Sequence, residues 1–267
     1  RPAAVINMAH GRMGDMVVNC LNRLNIPLFA PLNINRLVDE WEADKMGMSG
    51  GFLSQSVVTP EIDGAIRPYA LFGHYADEEG LQHAFAIPER LETFVQTVNN
   101  YIQLQEKPNS QKKVAIYYYK GVGQNSLIAS GMEVVPSLFN LLKRLHREGY
   151  TIDNLPSTAK ELERMIQAGG AVFGSYAEGA KQQFLQNGNP ELIKKEQYEG
   201  WIKESIHPQM YSDVLATDGE FPGSGMRTDG NELPLARLQF GNVVLLPQSA
   251  AGNGDNAFKI VHGTDAA

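Results

Sequence analysis

Apolar residues along this chain fall into short runs of strand length, separated by stretches in which they recur at helical spacing. Ala3 to Asn7 reads as a buried strand leading into the loop His10-Gly11-Arg12. Val17, Cys20, Leu21 and Leu24 then recur on one helical face, Asn25-Ile26-Pro27 stops that helix, and Pro27 to Pro31 reads as a second short strand. Leu37 and Trp41 mark the next, acidic helix. Ser56–Pro60 and Ile66–Phe72 read as strands, and Glu61-Ile62-Asp63-Gly64 between them has the chemistry of a hairpin turn. Pro88 opens a long helix with Leu91, Phe94, Val95, Val98 and Ile102 on one face. A proline costs nothing in a first turn, where its missing N–H has no partner in any case.

After the polar stretch Glu106–Lys113 the pattern begins again. Lys113 to Tyr119 predicts a strand, Lys120 to Gly131 a glycine-bearing loop, and Glu133 to Glu148 a helix that buries Val135, Leu138, Phe139, Leu142 and Leu145. Lys143, Arg144, His146 and Arg147 complement the dipole of its last turn, and Gly149 ends it. Thr158 and Glu161 have capping-box spacing for a further helix, and Gln182 to Met210 is mostly polar helix. Thr217–Glu232 is a long Gly-, Asp- and Pro-bearing loop of the kind that is usually functional or mobile. Leu235–Phe240, Asn242–Leu246 and Phe258–Val261 read as strands, the last of them just before His262.

Strands alternating with helices predict the α/β class: two successive Rossmann-like or flavodoxin-like units with mainly parallel sheets. Residues 1–106 are expected to form the C-terminal part of a first unit, and residues 113–267 a second. Both chain ends read as cuts in something longer, since Arg1-Pro2 leads straight into an apolar run and Ala266-Ala267 stops in mid-pattern.

Composition narrows the partners. Thirty acidic against 23 basic residues give a net charge of -7, which argues against nucleic acid and anionic lipid, both of which want a basic face. No apolar run approaches the roughly 20 residues that span a bilayer, and no leader pattern opens the chain. Cys20, the single cysteine, permits neither a disulfide framework nor a cysteine zinc site, and a reducing, cytoplasmic setting fits.

Candidate chemistry gathers at strand ends. The loop Lys120-Gly121-Val122-Gly123-Gln124-Asn125-Ser126 lies between a strand and a helix, where backbone N–H groups can hold a carboxylate or phosphate. A tight turn needing two glycines accounts for the same residues. The third glycine of a dinucleotide fingerprint is replaced by Ser126, and a G-x-x-x-x-G-K-[ST] loop occurs nowhere, so any ATP hydrolysis falls to a partner. Tyr118 stands in a three-tyrosine run, and alternation sets it opposite Tyr117 and Tyr119. Its uses are a flat wall for a planar ligand or core packing. No histidine pair has helical metal-ligand spacing. His83 and His207 read as surface loop residues and His146 as a cationic cap. His10, His74 and His262 follow apolar runs, where the crevices of open α/β sheets form.

A family resemblance reaches further. Gly123 to Tyr150, with Ala129-Ser130, Val134, Ser137-Leu138, Leu141-Leu142, Leu145 and Gly149-Tyr150, resembles a segment of the CobN/magnesium-chelatase H family, and Leu155-Pro156-Ser157 continues in the same way. Upstream, Met48-Ser49 through Asp63-Gly64 and Leu24 to Leu28 are similar to that family. Downstream, Gly241-Asn242-Val243, Leu246-Pro247-Gln248 and Gly254-Asp255 are similar to it. The sequence departs from the family at Ile128, where the family has a glycine before Ala129-Ser130, and at Gly50, where the family has a proline after the serine.

The resemblance implies the tetrapyrrole-binding large subunit of an enzyme that inserts cobalt or magnesium into a corrin or porphyrin, with AAA+ partner subunits hydrolysing ATP. Its His/Glu-bearing motif is expected beyond residue 267. Insertion needs a base for two pyrrole N–H protons and ligands for the metal. Candidates for that chemistry are His10, His74, Glu133 and His262, with His262 the candidate metal ligand. Candidate substrate-binding residues are Tyr118, Gly121, Gly123, Asn125, Ser126 and Ser130. Action on iron porphyrin in haem uptake, and a tetrapyrrole-binding module without catalysis, are the alternatives.

Overall fold

The structure, a computed structural model, describes residues 1–8, 11–119, 128–129, 131–169, 178–223 and 231–248. The chain divides into two compact units, Arg1–Lys107 and Pro108–Ala267.

In the first unit, β1 (Val5–Ile6) pairs in parallel with β2 (Leu28–Phe29) across the helix α1 (Asp15–Leu24). Most of the predicted apolar stripe of α1 buries: Leu21, Ile26 and Leu28 form a cluster against which Val17 and Leu24 pack, whereas Cys20, on the same predicted face, is exposed. Asn25, in the left-handed region at φ 49, ends the helix by returning its N–H to Asn22 and Leu21. A second sheet has the order β3 (Pro31–Leu37), β4 (Tyr69–Ala76), β5 (Gln82–Ala86), parallel then antiparallel. The crossover from β3 to β4 carries α2 (Val38–Ala43) and a helical run from Gly50 to Ile62. Gly73 lets α2 lie close on β4, since a Cβ there would stand 2.5 Å from Val38 Cγ2. The helix α5 (Pro88–Glu106) closes the unit. Phe94 meets Phe29 edge-on at 6.0 Å and Phe29 meets Tyr101 at 5.5 Å, so this core is aromatic.

Two expectations fail here. Ser56–Pro60 is not a strand: α3 (Gly50–Leu53) continues through a π-helical segment (Ser54–Val58) into α4 (Thr59–Ile62). Valine and threonine favour strands weakly, and tertiary packing of Val57 against Leu32, Ile34, Val38 and Ile87 overrides them. Pro60 has no N–H to offer the Ser56 carbonyl, and the widened π segment lies where that bond is missing. Glu61–Gly64 is accordingly a helix end rather than a hairpin, with Asp63 N donating to Pro60 O at 3.0 Å and Gly64 at φ 88.

In the second unit, β6 (Val114–Tyr118) pairs in parallel with β12 (Val243–Pro247), which pairs antiparallel with β11 (Leu238–Phe240). The helices α6 (Val134–Arg147) and α7 (Ala159–Gly169) cover one face. Phe240, Leu142, Leu162, Ile166, Val243 and Leu245 are fully buried in a single cluster there. The capping pattern is realised: Thr158 Oγ1 accepts from Glu161 N at 3.1 Å, and Glu161 accepts from Ser157 N at 2.7 Å.

The remaining elements are short. The strands β7 (Ile128–Ala129) and β8 (Met132–Glu133) pair before α6. The polar region divides into α8 (Glu178–Asn187), β9 (Glu191–Ile193), α9 (Lys195–Ser205) and α10 (Pro208–Asp218). The run expected to be one strand at Leu235–Phe240 breaks at Ala236-Arg237: β10 (Leu233–Leu235) pairs with β9, and Arg237 reaches Glu191. The α/β class is as expected, with mixed sheets. The parallel pairs β3–β4 and β6–β12 are each extended by an antiparallel neighbour, which needs no crossover helix, while β1–β2 stands as a two-stranded sheet. Among the described residues no helix is long and apolar enough to cross a membrane. Phe258–Val261 lies outside the described residues.

Candidate functional site

Both parallel strands of the second unit end together, with Tyr118 opposite Pro247 and Gln248 N donating to Tyr118 O at 2.8 Å. Crevices of open α/β sheets form beyond such ends. Strand alternation divides the three tyrosines. Tyr118 points under the helices and is 3% exposed, while Tyr117 and Tyr119 are 73% and 44% exposed. The Tyr118 hydroxyl meets no hydrogen-bond partner among the described residues. Desolvation drives its pKa far above the ordinary tyrosine value, which keeps it neutral. On the face away from α6 and α7, Tyr117 neighbours Leu246, and Ala115 neighbours Val244, both partly exposed. The result is a flat, apolar and aromatic surface at the carboxyl end of β6.

Of the other candidates, Glu133 is exposed at the N-cap of α6 and makes no side-chain capping bond. His74 lies on β4 in the first unit, with Nδ1 3.1 Å from Gln82 Oε1. His10, Gly121, Gly123, Asn125, Ser126, Ser130 and His262 lie outside the described residues. Among the described residues no group of three or more His, Cys, Asp or Glu side chains stands close enough to hold a metal. His83 proves to be a strand residue, its Nε2 2.8 Å from Asp77 Oδ2, and His207 caps α10 by accepting from Gln209 N at 3.2 Å.

The first unit holds a polar clasp that the sequence reading missed. The Asp63 carboxylate, at the end of α4, accepts from Arg12 Nε and from Met13 N at 2.6 Å, fixing the loop that follows β1. These hydrogen bonds hold its carboxyl below the usual carboxylate range, the Met13 N–H being the main cause. Beside it, Ala30, Ser56, Pro60, Glu61, Ala65 and Ile66 line a shallow crevice too tight to admit a water molecule, and the buried Ser56 Oγ has no partner among the described residues. The only sequence signal was a helix-ending Asp-Gly, and a contact 51 residues away leaves no local trace.

A depressed folded-state pKa means that the clasp contributes stability above the unfolded value of about 3.9, lost as pH falls through the folded value. Asp63→Asn is therefore expected to lower the melting temperature at pH 7. The gap to wild type should shrink progressively below about pH 4, as the wild-type Asp63 takes up its proton and loses the charge that asparagine lacks. Thermal melts between pH 7 and pH 3 check this, and a pH-independent gap would show that the charge is irrelevant.

The CobN/Magnesium Chelatase family profile matches residues 1–267. An uncharacterized protein of Methanocaldococcus jannaschii is 26% identical over 247 residues, 88% of this chain and 20% of that protein. The large magnesium-chelatase protein of Rhodobacter capsulatus, its H component, is 28% identical over 258 residues, 89% of this chain and 20% of that protein. Among solved structures, the catalytic subunit of cobaltochelatase from Mycobacterium tuberculosis superposes with a TM-score of 0.73 at 23% identity, over 97% of this chain and 22% of that one. The chain thus spans about a fifth of the length of these relatives.

Proposed function

The chain belongs to the CobN/magnesium chelatase family, and from that membership we infer that it builds part of the tetrapyrrole-holding large subunit of a metal chelatase. The observation that carries this reading is the family match along all 267 residues. Cobalt or magnesium is a substrate here, and its insertion releases two ring N–H protons to a base. His10, His74, Glu133 and His262 are this chain's candidates for the catalytic chemistry, and His262 alone is its candidate metal ligand. Separate AAA+ subunits hydrolyse the ATP, in keeping with a sequence that has no phosphate-binding G-x-x-x-x-G-K-[ST] loop.

A planar macrocycle is best held by flat apolar walls with polar groups at its rim. Tyr117, Tyr119, Val244 and Leu246 supply such a wall at the carboxyl end of β6. Tyr118 steadies that strand end from within the core. The loop residues Gly121, Gly123, Asn125, Ser126 and Ser130 are assigned to the ring's carboxylates.

Absorbance titration of the chain with a metal-free porphyrin, haem and a corrin precursor tests the reading. Saturable binding of one macrocycle is expected, and the preferred one selects the magnesium, haem or cobalt branch. Replacing both exposed tyrosines (Tyr117→Ser, Tyr119→Ser) should weaken it about tenfold, since stacking is worth about 0.5–1.5 kcal/mol per aromatic. Failure of all three macrocycles to bind would overturn the reading for this chain.

A further inference from the structure

The edges of the larger sheets are not equally protected. β3 starts at Pro31 and twice loses register with β4, with Asn35 at φ 53, so it is a poor template for another strand. β11 has only three residues, and β6 is entered through Lys112 and Lys113. β5 has none of these guards. Its pairing with β4 runs in unbroken register from Phe72↔Ala86 to Ala76↔Gln82, and Gln82-His83-Ala84-Phe85-Ala86 holds no proline, lysine or arginine.

Its free groups can be identified from the bonds that bracket the ladder. Asp77 N donates to Leu81 O at 3.0 Å, and Ile87 N donates to Leu71 O at 2.9 Å. In an antiparallel pair, bonded and non-bonded positions alternate. Leu81, His83, Phe85 and Ile87 therefore turn their main chains towards β4. The N–H and C=O groups of Gln82, Ala84 and Ala86 point outward, with no partner among the described residues. Along one face of the same strand Leu81 and Phe85 are 58% and 60% exposed, with His83 between them.

We propose that β5 accepts an extended, alternately apolar and basic segment of a partner protein as a fourth strand of its sheet. Main-chain bonds would come from Gln82, Ala84 and Ala86, and side-chain contacts from Leu81 and Phe85. Charge selects a basic occupant: the turn leading into β5 is Asp77-Glu78-Glu79, and Glu78 and Glu79 are exposed without a cation beside them among the described residues. A second copy is disfavoured by the same charges. Two-fold pairing centred on Ala84 would set Glu79 of one copy beside Glu89 of the other, between chains that each carry a net charge of -7.

The test uses a capped ten-residue peptide of alternating lysine and valine, with a glutamate–valine peptide as control. Fluorescence anisotropy should show at least tenfold tighter binding of the lysine peptide. Hydrogen exchange should show new protection at the Gln82, Ala84 and Ala86 amides. Ala84→Pro removes an outward N–H without taking one from the β4 ladder, a position where an edge strand tolerates proline, and should weaken binding at least tenfold. Should that variant unfold, the peptide serves instead: N-methylation at alternate amides should abolish binding in one parity and spare it in the other. Equal loss in both parities, absence of protection at the three amides, or a β5-dependent dimer in sedimentation would each overturn the proposal.

Discussion

Replacing Phe240 with alanine is expected to destabilise the second unit by about 3–5 kcal/mol, the range for emptying a well-packed aromatic site. Phe240 is the last residue of β11 and has no exposed surface. It belongs to the cluster formed by Leu142 on α6, Leu162 and Ile166 on α7, and Val243 and Leu245 on β12, every one of them fully buried. Those side chains are held by two helices and a hydrogen-bonded ladder, so they cannot all move in to close the space, and the cavity penalty adds to the lost transfer energy. Urea denaturation followed by far-ultraviolet circular dichroism measures the change. Phe240→Leu should lose less than half as much because it leaves a smaller void. A loss below about 1 kcal/mol for the alanine variant would mean that α6, α7 and the sheet do not pack as closely as their burial implies.

That core was the most legible part of the chain. The spacing of Val135, Leu138 and Leu142 announces a helix with one apolar face, and all three are buried. Periodicity fixes which residues share a face, but not how much of that face a neighbour covers. On α5, Phe94 is buried as its spacing suggests, whereas Leu91 and Val95 on the same face remain 42% and 48% exposed. Short-range signals also mislead where a distant contact decides the outcome. Val57 and Val58 look like a strand, yet Val57 is drawn into a helix by packing against the cluster of Leu32, Ile34, Val38 and Ile87. β5 escaped notice for a related reason, because Gln82 and His83 dilute its apolar alternation and its register comes from β4.

The candidate site divides along the same line. Alternation foretold that Tyr118 would face away from Tyr117 and Tyr119, since a strand permits nothing else. What it left open was which side the helices would take, and hence which tyrosines a ligand could reach. The Arg12–Asp63 clasp was hidden for the opposite reason, as its partners lie on separate elements and only folding brings them together. The glycine-bearing stretch of residues 120–127, His10 and His262, which include most of the candidate site residues, fall outside the described residues.

Gly241 is where a single methyl group should do the most harm to that candidate site. It turns the chain between β11 and β12 at φ 58, a left-handed conformation that costs an ordinary side chain about 1–3 kcal/mol. A Cβ would also stand 2.8 Å from Thr151 O and 3.1 Å from Asp153 N, both backbone atoms, which cannot swing aside as a side-chain tip can. The backbone it would push supports the sheet: Asn242 N donates to Thr151 O at 2.9 Å, and Val114 N donates to Asn242 O at 2.9 Å. Displacing Asn242 therefore disturbs the register that aligns β12 with β6 and ends at Tyr118. Gly241→Ala is expected to cost on the order of 2–4 kcal/mol, strain and contact together, and to weaken macrocycle binding in parallel. Gly241→Asn separates the two causes, because asparagine tolerates the left-handed region yet brings the same Cβ. If Gly241→Asn melts with wild type, conformation alone is at stake. If it falls nearly as far as Gly241→Ala, the close approach of Thr151 is what the glycine protects, and the alignment of the two parallel strands depends on it.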